Sequence, residues 1–265
     1  MGNDSNVMPN YRVLVLTCDP YLECLKPFAW LFNKYWSSEQ SVLVGGFTPP
    51  DFTLPDNFEF ISIGNNSEYP AARYSTGLIK FLRRIQDDVF VFMLEDQWLN
   101  GKVEPSEIQT CIDVARSTNN LLRIDMIDDR RYMNEYTFGK VETFGTFNGL
   151  ELIKSHWCPY EFAIYGTLFN RAKMLKYVQP ELDPWTLETH TTNVIEHERD
   201  RCVVLGTTRK LIPCANGLRQ QNKYYIQGIR GIDAAEIEGG ITEEDKREMA
   251  GLGIYDEARL MRYKK

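Results

Sequence analysis

Apolar residues fall along this chain in two rhythms. Short, nearly continuous runs alternate with stretches in which they return every three or four positions, the patterns of strands buried on both faces and of helices buried on one. Residues 11–17, 41–47, 58–63 and 89–94 read as strands, with another around 121–124. Residues 23–36 read as a helix, carrying Leu25, Phe28, Ala29, Leu31, Phe32 and Trp36 on one side and Pro27 near its start, where a missing N–H does little harm. Residues 74–86 form a second, with Leu78, Ile79, Leu82 and Ile85 on one face. A third spans 105–117, its start marked by Glu104 or by Ser106 and Glu107. The order β-α-β-β-α-β, with strands apolar on both faces, predicts an open, mostly parallel sheet flanked by helices, whose ligands gather at the carboxyl ends of the strands.

Beyond residue 125 the pattern is less regular. Residues 128–149 are polar, aromatic and glycine-containing, which predicts a hairpin or a loop. Residues 163–178 read as half strand and half helix, and the prolines of 180–185 predict an extended, exposed connection. Thr242-Glu-Glu-Asp245 resembles a capping box opening a short helix that Gly251 closes.

Composition narrows the class. With 43% hydrophobic and 25% charged residues over 265 positions, the chain is long enough to bury a large core and too apolar to remain disordered. Its longest apolar runs fall far short of the roughly 20 residues a membrane span needs. The first six residues lack both a basic stretch and an apolar one, which leaves the cytoplasm as the expected compartment. Cysteines 18, 24, 111, 158, 202 and 214 form no C-x-x-C, and His156, His190 and His197 show no zinc spacing, so free and mostly buried thiols are expected. A net charge of −7 argues against coating nucleic acid through a basic surface. From residue 201 onward, however, 12 Lys and Arg stand against 9 Asp and Glu, so this end is +3 and the rest −10.

Two segments carry candidate chemistry. Leu94-Glu95-Asp96-Gln97-Trp98 sets two carboxylates at the end of the most hydrophobic strand, where adjacent acids can hold a ribose hydroxyl and a divalent cation; the plainer reading is a solvated turn. Asp183-Pro184-Trp185-Thr-Leu-Glu188 presents an indole, then a carboxylate three residues on, suited to a sugar ring beside a general base; the plainer reading is an anchored loop with Glu188 as a helix-start acid. Residues 214–225 mix amides, cations and aromatics, as an acceptor groove or an ordinary edge strand would.

The order and spacing of three segments resemble glycosyltransferases of the GT-A fold, particularly small bacterial and phage members: Thr17-Cys-Asp-Pro-Tyr21 with the aromatic helix after it, Phe92-Met-Leu-Glu-Asp-Gln-Trp98, and Tyr165-Gly-Thr-Leu-Phe169 followed by the segment ending at Glu188. The resemblance spans residues 11 to about 225 and implies one domain in two parts. A leader (1–10) precedes a half that binds the nucleotide-diphosphate sugar (11–125); an acceptor-side half (126–230) and a C-terminal helical extension (231–265) follow. It implies Asp19, Tyr21, Arg73, Glu95 and Asp96 at the donor, Tyr165, Thr167, Trp185 and Arg219 at the acceptor, and Glu188 as the base of an inverting transfer. The implied acceptor is a surface glycan precursor or a hydroxymethylated base in phage DNA. A Mg²⁺ or Mn²⁺ ion, where one is used, falls to Asp96, with His190 as a weaker candidate. Gln97 departs from the pattern, standing where many relatives carry a third acid, and an amide is a poorer metal ligand; Lys80, Arg123 and Arg130-Arg131 join Arg73 as cations able to offset a diphosphate without metal. A non-catalytic nucleotide-binding or scaffold protein on the same sheet is the competing class. A nucleotidyltransferase would need a glycine-rich basic loop after the first strand, which residues 17–21 do not supply. The oligomeric state is not legible.

Overall fold

The computed structural model describes residues 10–127, 130, 141–155, 160–198, 202–216 and 240–256. Its strands are β1 (Val13–Leu16), β2 (Val42–Gly46), β3 (Phe58–Ser62), β4 (Val89–Leu94), β5 (Gln97–Leu99), β6 (Leu121–Asp125), β7 (Val141–Phe147), β8 (Leu150–Ser155), β9 (Thr167–Asn170), β10 (Val203–Thr207) and β11 (Cys214–Asn216). Its helices are α1 (Leu25–Tyr35), α2 (Tyr74–Arg84), α3 (Pro105–Ser117), α4 (Arg171–Tyr177), α5 (Pro184–Glu196) and α6 (Glu243–Gly251). Nine strands make one sheet in the order β3-β2-β1-β4-β9-β6-β10-β8-β7, and β5 pairs with β11 apart from it. Only β8 and β9 run against the other seven, so the sheet is mostly parallel in direction, as expected.

Alternation along the central strands supplies two cores. Val13, Val15, Val42, Val44, Val91 and Met93 pack on one face with α1 and α3. Leu14, Leu16, Leu43, Phe90 and Phe92 pack on the other with α2, α4 and α5. Both faces are covered, which is why these strands read as continuous apolar runs rather than alternating ones. Among the described residues no helix is long and apolar enough to cross a membrane.

Several expectations are refined. The helix predicted from residue 23 is preceded by a 3₁₀ turn over Asp19–Cys24 that carries the chain off the end of β1. Of the hairpin or loop expected over 128–149, residues 128–129 and 131–140 lie outside the described residues; β7 forms a hairpin with β8, which runs on to Ser155, turned at Asn148 and Gly149, both at positive φ (49° and 82°), the geometry an Asn-Gly pair favours. The extended connection predicted over 180–185 is a correction: α5 already begins at Pro184. Asp183 caps it, Oδ1 accepting from the N–H groups of Trp185 and Thr186, and Pro184 occupies the first turn, where no N–H is needed. Thr242 caps α6 through the Asp245 N–H, as its sequence predicted. Five cysteines among the described residues are free.

Candidate active site

The chain runs β1, β2, β3 outward on one side and then crosses back to place β4 on the other side of β1. That reversal makes the carboxyl ends of β1 and β4 the switch point of the sheet, the position where open α/β sheets bind ligands. Residues 17–19 leave one strand and Glu95-Asp96 the other.

Glu95 is 7% exposed. Burial, then the adjacent Asp96 charge, pushes its carboxyl well above the usual carboxylate range, against hydrogen bonds from its own N–H and from Thr17 just past β1. The turn that holds the pair is stiff. Gln97 Oε1 accepts from the Leu94 N–H at 2.9 Å, and Trp98 Nε1 donates to the Glu95 carbonyl at 3.1 Å. Gln97 is fully buried. Its amide oxygen is therefore spent on the backbone.

Tyr74, the first residue of α2, brings a buried hydroxyl with no protein hydrogen-bond partner among the described residues. Leaving such a group unpaired costs about 1–3 kcal/mol. Burial first, then the surrounding Glu95, Glu188, Cys18 and Asp96, raises its pKa. The phenol thus lies within electrostatic reach of both acidic segments singled out in the sequence, 93 positions apart at Glu95 and Glu188.

Glu188 reaches this edge because β9 runs antiparallel to β4, pairing Thr167 with Phe92, so the residues just before β9 lie beside the end of β4. The Ile164 N–H donates to Glu188 Oε1 at 2.9 Å, and the Phe162 N–H to Thr192 Oγ1 at 3.1 Å, one helical turn along α5. Glu188 Oε2 makes no hydrogen bond among the described residues. Burial raises the Glu188 pKa; the Ile164 N–H and the Arg123 charge lower it, and Asp125 raises it. One oxygen is held and the other is free to take a proton.

A second polar cluster lies further along the same edge. Asp125 accepts from Arg123 Nη2 (2.9 Å to Oδ1) and Arg130 Nε (2.9 Å to Oδ2), and Arg130 also meets Glu161 at 3.4 Å. Arg123 further donates to the carbonyls of Ala163 at 2.6 Å and Tyr160 at 2.9 Å, fixing the segment whose Ile164 N–H holds Glu188. Both guanidinium groups are at most 2% exposed. A Cβ on Gly206 of β10 would lie 2.8 Å from Arg130 Cβ, so only glycine admits that arginine. The expectation that Arg123 and Arg130 face a diphosphate is thereby corrected: both are buried against carboxylates.

The remaining predicted residues divide. Tyr21 is half-buried, within electrostatic reach of Glu95 and Asp96. Asp19 accepts from the Thr48 N–H (3.0 Å) and hydroxyl (2.8 Å), joining the loops after β1 and β2. Arg73 is engaged by Glu181 at 2.8 Å and by the Glu68 carbonyl, and Lys80 Nζ lies 2.9 Å from the Tyr69 hydroxyl. Trp185 is 67% exposed on the first turn of α5. The Tyr165 hydroxyl lies 3.7 Å from Cys214 Sγ. Thr167 is fully buried, its hydroxyl donating to the Tyr165 carbonyl at 2.8 Å. His190 Nε2 pairs with Gln179 Oε1 at 2.9 Å. Arg219 and Arg131 lie outside the described residues. Sequence reading missed Thr17 and Tyr74. A polar residue ending the first strand and an aromatic opening the helix after β3 were the available signals, since both must emerge at the carboxyl edge.

Among the described residues no group of three or more His, Cys, Asp or Glu side chains is placed to hold a metal. Mg²⁺ needs no such cage, being held through one or two carboxylates and a ligand's phosphates. The like-charged, buried Glu95 beside Asp96 is a donor set that a divalent cation would relieve.

No protein-family model matches this sequence, and comparison with curated proteins finds no match. Solved structures similar to the chain include UDP-glucose pyrophosphorylase from Acinetobacter baumanii (12% identity, TM-score 0.49, 91% of this chain and 99% of that one). A mannosyltransferase from Pyrobaculum calidifontis in complex with GDP-Man and Mn²⁺ is another (12%, 0.44, 93% and 70%). A third is glucosyl-3-phosphoglycerate synthase from Mycobacterium tuberculosis in complex with Mn²⁺, UDP and phosphoglyceric acid (10%, 0.42, 88% and 80%). These likenesses are remote.

Proposed function

We propose that this protein is a glycosyltransferase that moves a sugar from a nucleotide-diphosphate donor to a hydroxyl acceptor. The observation that carries the reading is Glu188: a half-buried carboxylate with raised proton affinity, held by one oxygen and free at the other, within electrostatic reach of Tyr74 as the Glu95-Asp96 turn also is. The donor lies at the switch point between β1 and β4, with Glu95 and Asp96 at its ribose and diphosphate and Tyr21 alongside. The acceptor enters past the exposed indole of Trp185, a surface suited to a sugar ring; a glycan precursor fits this better than DNA, given the net charge of −7.

In the transfer, the acceptor hydroxyl gives its proton to Glu188 Oε2 as its oxygen bonds to the anomeric carbon. The bond from that carbon to the diphosphate breaks, and its electron pair leaves with the nucleoside diphosphate. One base and one displacement invert the anomeric centre. A Mg²⁺ or Mn²⁺ ion on Asp96, with Glu95 behind it, would offset charge on the departing diphosphate. A protonated Glu188 cannot accept the proton, so activity falls as pH drops through a pKa above the usual glutamate value.

Replacing Glu188 with Gln tests the reading. Transfer is expected to fall by about 10²–10⁴-fold while the donor KM changes little, measured by release of nucleoside diphosphate. Wild-type turnover in that variant would remove Glu188 from the role. Release of pyrophosphate from a nucleoside triphosphate and a sugar phosphate would instead mark a nucleotidyltransferase, and binding without turnover a scaffold.

A further inference from the structure

The first turn of α2 is clamped to the segment that enters α5. Ser75 donates its N–H to the Leu182 carbonyl at 3.0 Å and accepts from the Leu182 N–H through Oγ at 2.9 Å. Thr76 Oγ1 donates to Glu181 Oε1 and accepts from the Glu181 N–H, both at 2.9 Å. Four hydrogen bonds therefore fix the start of α2 against the entry to the helix that carries Glu188. Tyr74 immediately precedes the clamp, and its ring packs against the core that α2 and α5 share.

Its hydroxyl is buried and has no protein hydrogen-bond partner among the described residues, and it lies within electrostatic reach of Glu95, Glu188 and Asp96. An anionic phosphate oxygen can approach Glu95 and Asp96 only across a bound cation, and a phenol supplies none. A neutral hydroxyl suits the position, because it accepts from the phenol and donates to a carboxylate at once. Between a diphosphate held at Glu95-Asp96 and an acceptor proton taken by Glu188, the ligand part that must lie there is the transferred sugar.

We propose that Tyr74 is a sugar-binding residue whose buried hydroxyl donates a hydrogen bond to a hydroxyl of the donor's hexose. This rests on the glycosyltransferase reading and adds to it a contact that the nucleotide alone does not make. Tyr74 thereby separates a nucleotide sugar from its bare diphosphate, and sets which hexose is accepted by the position of one hydroxyl.

The test is calorimetric titration of wild type and Tyr74→Phe with UDP-glucose, GDP-mannose, dTDP-glucose and ADP-glucose, each beside its free nucleoside diphosphate. For the nucleotide sugar that wild type binds, the Phe variant is expected to bind about tenfold more weakly, or ~1.4 kcal/mol, with diphosphate affinity within about twofold. Its Tm is expected to hold or rise, since the removed hydroxyl has no partner in the free protein. Equal loss for sugar nucleotide and diphosphate, no loss for either, or a sharply lowered Tm would each overturn the assignment. If wild type bound no nucleotide sugar of the panel, the donor reading itself would fail, a result distinct from wild-type binding that Tyr74→Phe leaves unchanged.

Discussion

Two strands of one sheet deliver a buried acid to the same edge and treat it in opposite ways. Asp125 at the end of β6 is 6% exposed and gripped by Arg123 and Arg130; Glu95 just past β4 is 7% exposed, has no cation paired with it among the described residues, and stands next to Asp96. Equal burial thus accompanies unequal electrostatics. The neutralised acid ties β6 to the segment that positions Glu188. The unneutralised one is a cost to the folded state that a ligand's hydroxyls or a cation can offset, and such perturbed groups gather where ligands react.

The sharpest way to break this contrast is to remove each acid and compare signs. Asp125→Ala leaves the buried Arg123 without a carboxylate among the described residues and Arg130 with Glu161 alone, and is expected to cost about 3–5 kcal/mol in denaturant unfolding. A loss below about 1 kcal/mol would show that the cluster is not structural. Glu95→Gln keeps an oxygen to accept from Thr17 while removing a desolvated charge beside Asp96. Measured at neutral pH with chelator present, it is expected to stabilise by about 0.5–2 kcal/mol and to abolish donor binding; destabilisation would end the comparison.

Glu188 tests the same logic through pH. Its folded pKa lies above its unfolded one, so between the two the native state binds more protons. Stability from this group is full below the unfolded value and is lost as pH rises to the folded one. Melting of Glu188→Gln across that window should lack this part of the decline, and an unchanged profile would remove burial as the cause of the shift. The smallest effect is expected at Trp185, whose indole is mostly in water. Trp185→Ala should change stability by no more than about 0.5 kcal/mol while raising the acceptor KM, and a larger loss would make the indole an anchor rather than a platform.

Much of the fold was legible because short-range periodicity records burial. Residues 89–94 and 105–117 were bounded in the sequence as β4 and α3 are in the structure, and Thr242 announced α6, since spacing and caps are properties of neighbours along the chain. The start of α5 was misread because Pro180 and Pro184 look alike in sequence, whereas only Pro184 follows an aspartate that caps a helix. The Asn148-Gly149 pair is the local signal of the β7–β8 turn.

The acids at 95, 96 and 188 could be picked out from their positions beside an apolar strand and a rigid turn, but nothing local places them together. Their common edge depends on β9 entering antiparallel beside β4 and on four hydrogen bonds clamping α2 to the entry of α5. The same holds for the arginines. Arg123 and Arg130 read as available cations in the sequence, and tertiary packing assigned them to Asp125 and Glu161. The sequence by itself determined the main strands and helices up to residue 117 and which acids end them, because those follow from side-chain spacing. Only the tertiary structure decided which charges are neutralised and which stay poised for a ligand, because burial and partnership join residues far apart in the chain.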